Sequence, residues 1–231
     1  MIRIKNAPEK ILGQEIGDLG GGLDSTRSGI IYLSETISKI EFLRPDKLKE
    51  KITASKVAGN DSGFSFNTAV DVDYNFYENT NELGNQIVSP IANNAFTYYR
   101  YKLEGIFYDD KGNLINKIKV TPKRDNDPVF SGFVYIVEDQ WTLYALELDI
   151  TGEQARIPAA DLISLQQDFS YSEKDGIWAK ISQTIDFKYG IFGIKGDGRF
   201  TYVYSNYVFN PDITKKDFGR EILAFENEAN K

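Results

Sequence analysis

From Tyr101 to Phe209, apolar and polar residues alternate with a period of two in one segment after another, and that spacing suits pleated strands rather than helices. In Gln183–Tyr189, Ile185, Phe187 and Tyr189 fall on one side and Thr184, Asp186 and Lys188 on the other. Tyr144, Leu146, Leu148 and Ile150 repeat the arrangement against Ala145, Glu147 and Asp149. Such alternation marks strands with one buried and one wet face. The runs are separated by turn-forming stretches at Asp109–Asn113, Glu138–Gln140, Ser172–Gly176 and Gly196–Gly198. The pattern predicts a sequential antiparallel meander of about six strands. Fourteen Tyr and fifteen Phe, many interleaved with Val, Ile and Thr, reinforce it, because large flat side chains pack well on a pleated surface.

Ahead of the meander, Gly29–Leu43 and Lys47–Val57 read as a first hairpin, with Arg44, Pro45 and Asp46 supplying turn chemistry. Residues 1–28, with Gly20, Gly21 and Gly22 before Asp24, read as a flexible lead-in. Residues 59–89 mix Gly, Asn and Asp with scattered aromatics and give no periodic signal. Ser89 and Pro90 suit a helix start, with Ser as cap and Pro in the first turn, so a short helix is expected over 89–100. Thr214 or Asp217 suits the cap of a second one carrying Phe218, Ile222 and Phe225 at helical spacing, weakened by Gly219. The expected class is mainly β, a β-rich α+β fold: a curved antiparallel meander sheet with one or two short covering helices. Its expected organisation is a lead-in at 1–28, a single β-rich domain at 29–212 and a helical tail at 213–231.

The chain has no His and no Cys. Without imidazole or thiol there is no Ser-His-Asp or Cys-His arrangement, no zinc site of ordinary type, and no disulfide. Carboxylates are the remaining route to acid–base work. Asp71 and Asp73 share one side of a strand-like run, but the further oxygen ligands of a calcium loop do not follow them, so a wet strand face accounts for both. Arg124–Pro128 likewise lacks the Gly and distal Glu of such a loop and reads as a hairpin connection. No catalytic residue, cofactor or metal ligand is assigned. A carboxylate-based hydrolase remains the weakest of three functional readings.

A net charge of −7 argues against nucleic acid as partner. Lys117, Lys119, Lys123 and Arg124 are the nearest thing to a basic patch, and a solvated strand face explains them. The aromatic residues are better candidates for binding. Trp141 and Trp178 each follow a turn and open a strand, where they anchor a core or rim or stack on a ligand. With Tyr144, Leu146 and Phe187 they form the expected core or hydrophobic-ligand positions.

The string from Ser89 through Tyr98–Gly105, Asn116–Arg124, Asp127–Gly132 and Tyr135–Trp141, with Ile177-Trp178, Phe187–Gly193 and Tyr202–Tyr207, resembles a Bacteroidetes family of outer-membrane proteins. Members of that family look like a carboxypeptidase-regulatory-like domain in front and a β-barrel behind. The resemblance implies that this chain is the middle, periplasmic part of a longer protein, which fits the lack of an apolar secretory run in Met1–Lys10. The meander with its Trp-led strand is also similar in architecture to the curved half-barrel of periplasmic lipoprotein carriers. Two functions follow from these likenesses. The first is a non-enzymatic structural or interaction domain that assists envelope assembly or transport beside its own barrel or other envelope proteins. The second is a carrier or binding domain for a hydrophobic ligand such as a lipid or acyl chain.

Overall fold

The computed structural model describes residues 1–11, 14–15, 23–44, 47–59, 72, 74–191, 193–218 and 223–225. Contacts divide the chain into two compact units, Met1–Asp73 with Val208–Lys231, and Tyr74–Tyr207. Of the expected single domain at 29–212, residues 29–73 and 208–212 fall in the first unit and residues 74–207 in the second.

The first unit is built on β1 (Ile2–Lys5), the short pair β2 (Lys10–Ile11) and β3 (Gln14–Glu15), and the hairpin of β4 (Gly29–Leu43) and β5 (Lys47–Gly59). The hairpin matches the sequence reading closely, although Pro45 and Asp46 lie outside the described residues. The lead-in is more ordered than expected. Ile2 and Ile4 are buried, and β1 runs antiparallel to β4 with Ile2 opposite Tyr32. Asp24 closes a turn by accepting the backbone N–H groups of Thr26 at 2.8 Å and Ser28 at 3.0 Å. An inward alternation of two residues is too short to stand out in sequence. Gly20, Gly21 and Gly22 lie outside the described residues, as do Asp71 and Asp73. The helical tail is not seen where it is described: Thr214 caps only a 3-10 turn at Lys215–Asp217, and Leu223–Phe225 is a strand parallel to β5.

The second unit holds the hairpin β6 (Thr80–Leu83) and β7 (Asn85–Val88), one helical turn α1 (Ala95–Tyr98), and seven strands: β8 (Tyr99–Tyr108), β9 (Leu114–Pro122), β10 (Ser131–Val137), β11 (Thr142–Thr151), β12 (Ala160–Ser172), β13 (Ile177–Ile191) and β14 (Ile194–Val203). A second turn of helix, α2 (Gly152–Ala155), joins β11 to β12. Each strand from β8 to β14 pairs antiparallel with the next, and the sheet is not closed into a barrel. The fold class is thus mainly β, as the alternation requires, with seven strands rather than six. Turn chemistry sets the connections locally. Asp109 accepts the N–H groups of Lys111 at 2.9 Å and Asn113 at 2.8 Å between β8 and β9.

The Gly196–Gly198 stretch is not a turn but part of β14, and the reversal falls at Gly193, whose φ is 84°. Gly198 lies under the Phe187 ring, so close that a Cβ there would come within 2.1 Å of it. Its role is to give an aromatic ring room on the neighbouring strand.

One face of the meander forms the core. Registers place Val134 opposite Leu146, Leu148 opposite Leu165, and Leu165 opposite Ile185. All five of these side chains are buried, each contributing roughly 1.5–3 kcal/mol. The cover is not the expected helix over 89–100, since only Ala95–Tyr98 is helical and Tyr99 opens β8. Ser89 is buried, donates from Oγ to the Phe76 carbonyl at 2.6 Å and accepts the Ile91 N–H at 3.3 Å, so its hydroxyl anchors a loop and caps a turn rather than a helix. Phe76 meets Phe130 edge-on at 5.4 Å, and Gln167 reaches the Tyr74 carbonyl at 2.8 Å. A chain of turns and a two-stranded hairpin, not helices, therefore covers the sheet.

Candidate binding groove

The core face does not stop where its cover stops. On β8 the side chains of Tyr101, Leu103, Ile106 and Tyr108 share that face, because Tyr101 pairs with Val120, Leu103 with Ile118, and a bulge after Leu103 restores the phase at Ile106. The face continues through Asn116 and Ile118 on β9, Ile136 on β10 and Leu143 on β11. The covering segment reaches it with Tyr77 and Ile91. Beyond them lies an open groove of about 660 Å³, walled at its far side by Glu138 and Trp141. Leu103 is 59% exposed and Trp141 76% exposed.

The groove walls are fixed by hydrogen bonds. Tyr77 Oη accepts from the Leu143 N–H at 2.9 Å and lies 2.7 Å from Thr142 Oγ1. Tyr101 donates to the Pro90 carbonyl at 2.7 Å and meets the Phe96 ring edge-on at 5.2 Å. Burial pushes the Tyr101 phenol up to about 12, so at neutral pH it is a fixed donor and not a base. Asn116 Nδ2 donates to the Glu138 carboxylate, which places a polar pair on an otherwise apolar wall. Trp141 ends a tight turn in which Asp139 and Trp141 itself adopt positive φ, 64° and 53°. Its N–H returns to the Val137 carbonyl at 3.0 Å. This backbone holds the indole out from the sheet instead of packing it down.

The sequence-predicted residues separate. Trp141 stands at the groove, exposed and not in the core. Leu146 is buried beneath the covering segment, and Phe187 lies on the same face further along, stacked on Phe200 at 5.5 Å. Tyr144 does not share the side of Leu146. Tyr135 pairs with Ala145 but Ile136 with Leu143, so Tyr144 is the extra residue of a bulge and turns to the opposite face. There it meets Phe107 at 6.0 Å and Trp178 at 6.1 Å. Trp178 packs with them against a small cluster of Ile115, Tyr135 and Val137, and its Nε1 donates to Gln140 Oε1 at 2.7 Å.

Tyr77, Ile91, Tyr101, Leu103, Ile118 and Ile136 escape the sequence reading. The only signal for the β8 residues is an alternation that Glu104 and Gly105 interrupt.

The charged stretches are engaged elsewhere. Arg124 pairs with Asp127 at 2.8 Å across its loop, Lys123 donates to the Phe96 carbonyl at 2.6 Å, and Lys117 lies 4.2 Å from the centre of the Phe133 ring. Among the described residues no group of three or more acidic side chains is gathered to hold a metal ion. Among the same residues no helix is long and apolar enough to cross a membrane.

No curated protein matches the chain, and no solved structure does. One family model matches residues 1–207, which is all of the second unit and the Met1–Asp73 segment of the first. The chain therefore belongs to a family of unknown function, DUF5686.

Proposed function

We propose that this chain is a non-enzymatic interaction module, in which the groove beside Leu103 and Trp141 takes hold of a segment of another envelope protein or of the barrel of its own longer chain. The observation that carries this reading is the continuation of the apolar core face beyond its cover, since large apolar side chains left open to water in one contiguous patch mark binding surfaces. The half-buried, protonated Tyr101 and the Asn116–Glu138 pair give the walls orientation and selectivity. The likeness of the sequence to outer-membrane proteins of Bacteroidetes supports a place on the periplasmic face of the outer membrane.

A second reading, a carrier for a lipid or acyl chain, draws on the groove volume, which falls in the range of small-molecule sites. The exposure of Leu103 and Trp141 favours the first, because ligand pockets bury most of what they hold. Native mass spectrometry of protein made in bacteria separates the two. The interaction module is expected at the mass of the bare chain. A co-purified lipid, displaced by Leu103→Glu, would replace this reading with the carrier.

A further inference from the structure

We infer that the groove's occupant is an extended segment that adds as a strand to the edge of β8, with apolar side chains on the groove face alternating with acidic side chains on the opposite face. The inference rests on the interaction-module reading and deepens it by naming the partner's chemistry. Three observations converge on it. Within the second unit β8 is the last strand: β9 pairs with one side of it, and among the described residues no strand pairs with the other. Beyond Tyr99, whose N–H is taken by the Ala95 carbonyl, its outer edge therefore offers a row of backbone donors and acceptors along Arg100–Tyr108.

The two faces of that edge differ in kind. On the groove face Leu103, Ile106 and Tyr108 are 59%, 60% and 71% exposed, a row that an added strand would cover with every second side chain. On the opposite face Arg100 and Lys102 from β8 stand beside Lys117 and Lys119 of β9, with Lys102 directly opposite Lys119. Glu104 is the one β8 carboxylate there, and its pair with Lys102 at 3.0 Å holds it below the usual carboxylate range. The face remains net positive, although the chain as a whole is acidic.

That charge selects between occupants. A second copy of β8 laid antiparallel on the first would bring Arg100 and Lys102 of both copies to the same face, where like charges oppose each other. Lysines and a bulge are the devices by which edges resist pairing with themselves. A strand bearing Glu or Asp at alternate positions turns the same lysines into partners, while its Val, Leu or Ile residues fill the groove.

The test uses a fluorescently labelled, end-blocked peptide of about eight residues alternating valine and glutamate, followed by anisotropy. Saturable binding is expected, weakened by salt and about tenfold or more by the double variant Lys102→Glu/Lys119→Glu, with an unchanged circular dichroism spectrum. The same variant should prefer a valine–lysine peptide, which a merely structural role for the lysines would not produce. Methylation of alternate peptide nitrogens should abolish binding, because it removes the ladder and leaves the side chains in place. Binding that survives methylation, equal binding of the valine–glutamate and valine–lysine peptides, or no binding at all would overturn the strand-addition inference. A pre-existing dimer blocking the edge would do the same. None of these results bears on whether lipid co-purifies, so the interaction-module reading stands or falls separately.

Discussion

Phe187→Asp should unfold the second unit or cost it several kcal/mol, while Lys188→Gln, one residue along, should change its stability by less than ~0.5 kcal/mol. Phe187 stacks on Phe200, pairs across β12 with Ile163, and lies over Gly198, whose missing side chain makes room for the ring. Truncating a packed Phe typically costs ~3–5 kcal/mol, and a carboxylate left facing an apolar surface adds a desolvation penalty. Lys188 is exposed on the other side of the same strand. Urea denaturation followed by circular dichroism compares the two. Equal losses would mean that β13 does not have the register described.

The second large effect concerns a hydroxyl. Tyr99 is 1% exposed, and its Oη donates to the Val88 carbonyl and accepts the Phe130 N–H at 3.1 Å, tying the covering hairpin and the approach to β10 to the start of β8. Tyr99→Phe keeps the ring and leaves both backbone groups without that partner inside the unit. At ~1–3 kcal/mol for each buried group so deprived, a loss of about 2–6 kcal/mol is expected.

A pH dependence accompanies it. Burial raises the Tyr99 phenol far above its ordinary value and that of Tyr74 to about 12. Both groups are held protonated in the folded state, so their contribution is whole below the unfolded pKa of ~10 and declines as pH rises from there toward the folded values. Wild-type protein should lose stability between pH ~10 and 12, and Tyr99→Phe should lose it less steeply. A variant as stable as wild type at pH 7 would remove Tyr99 from this role.

These residues also show what a sequence can disclose. The hairpin β4–β5 and the meander are legible because strict alternation and turn residues act locally, and nothing in tertiary packing overrides them. Gly196–Gly198 misleads because glycine serves two ends, turning a chain and making room for a ring, and composition does not distinguish them. Tyr144 misleads because one bulged residue reverses a face, and alternation contains no mark of the bulge. The cover over the core is illegible for a different reason: Phe76, Ser89 and Tyr99 act through long-range contacts with no period of their own. The groove inherits both difficulties. Its β8 wall crosses a bulge at Glu104, and its openness depends on where an aperiodic segment happens to end.

The proposed interaction depends on that openness. Trp141 can report it directly once Trp178→Phe leaves it as the sole indole, by energy transfer to the apolar dye 1-anilinonaphthalene-8-sulfonate in native conditions. Saturable transfer from Trp141 is predicted, lost when Leu103→Glu is added while the circular dichroism spectrum is unchanged. A native protein that binds no dye, or transfer that ignores Leu103→Glu, would contradict the claim that the core face opens into a binding groove at β8.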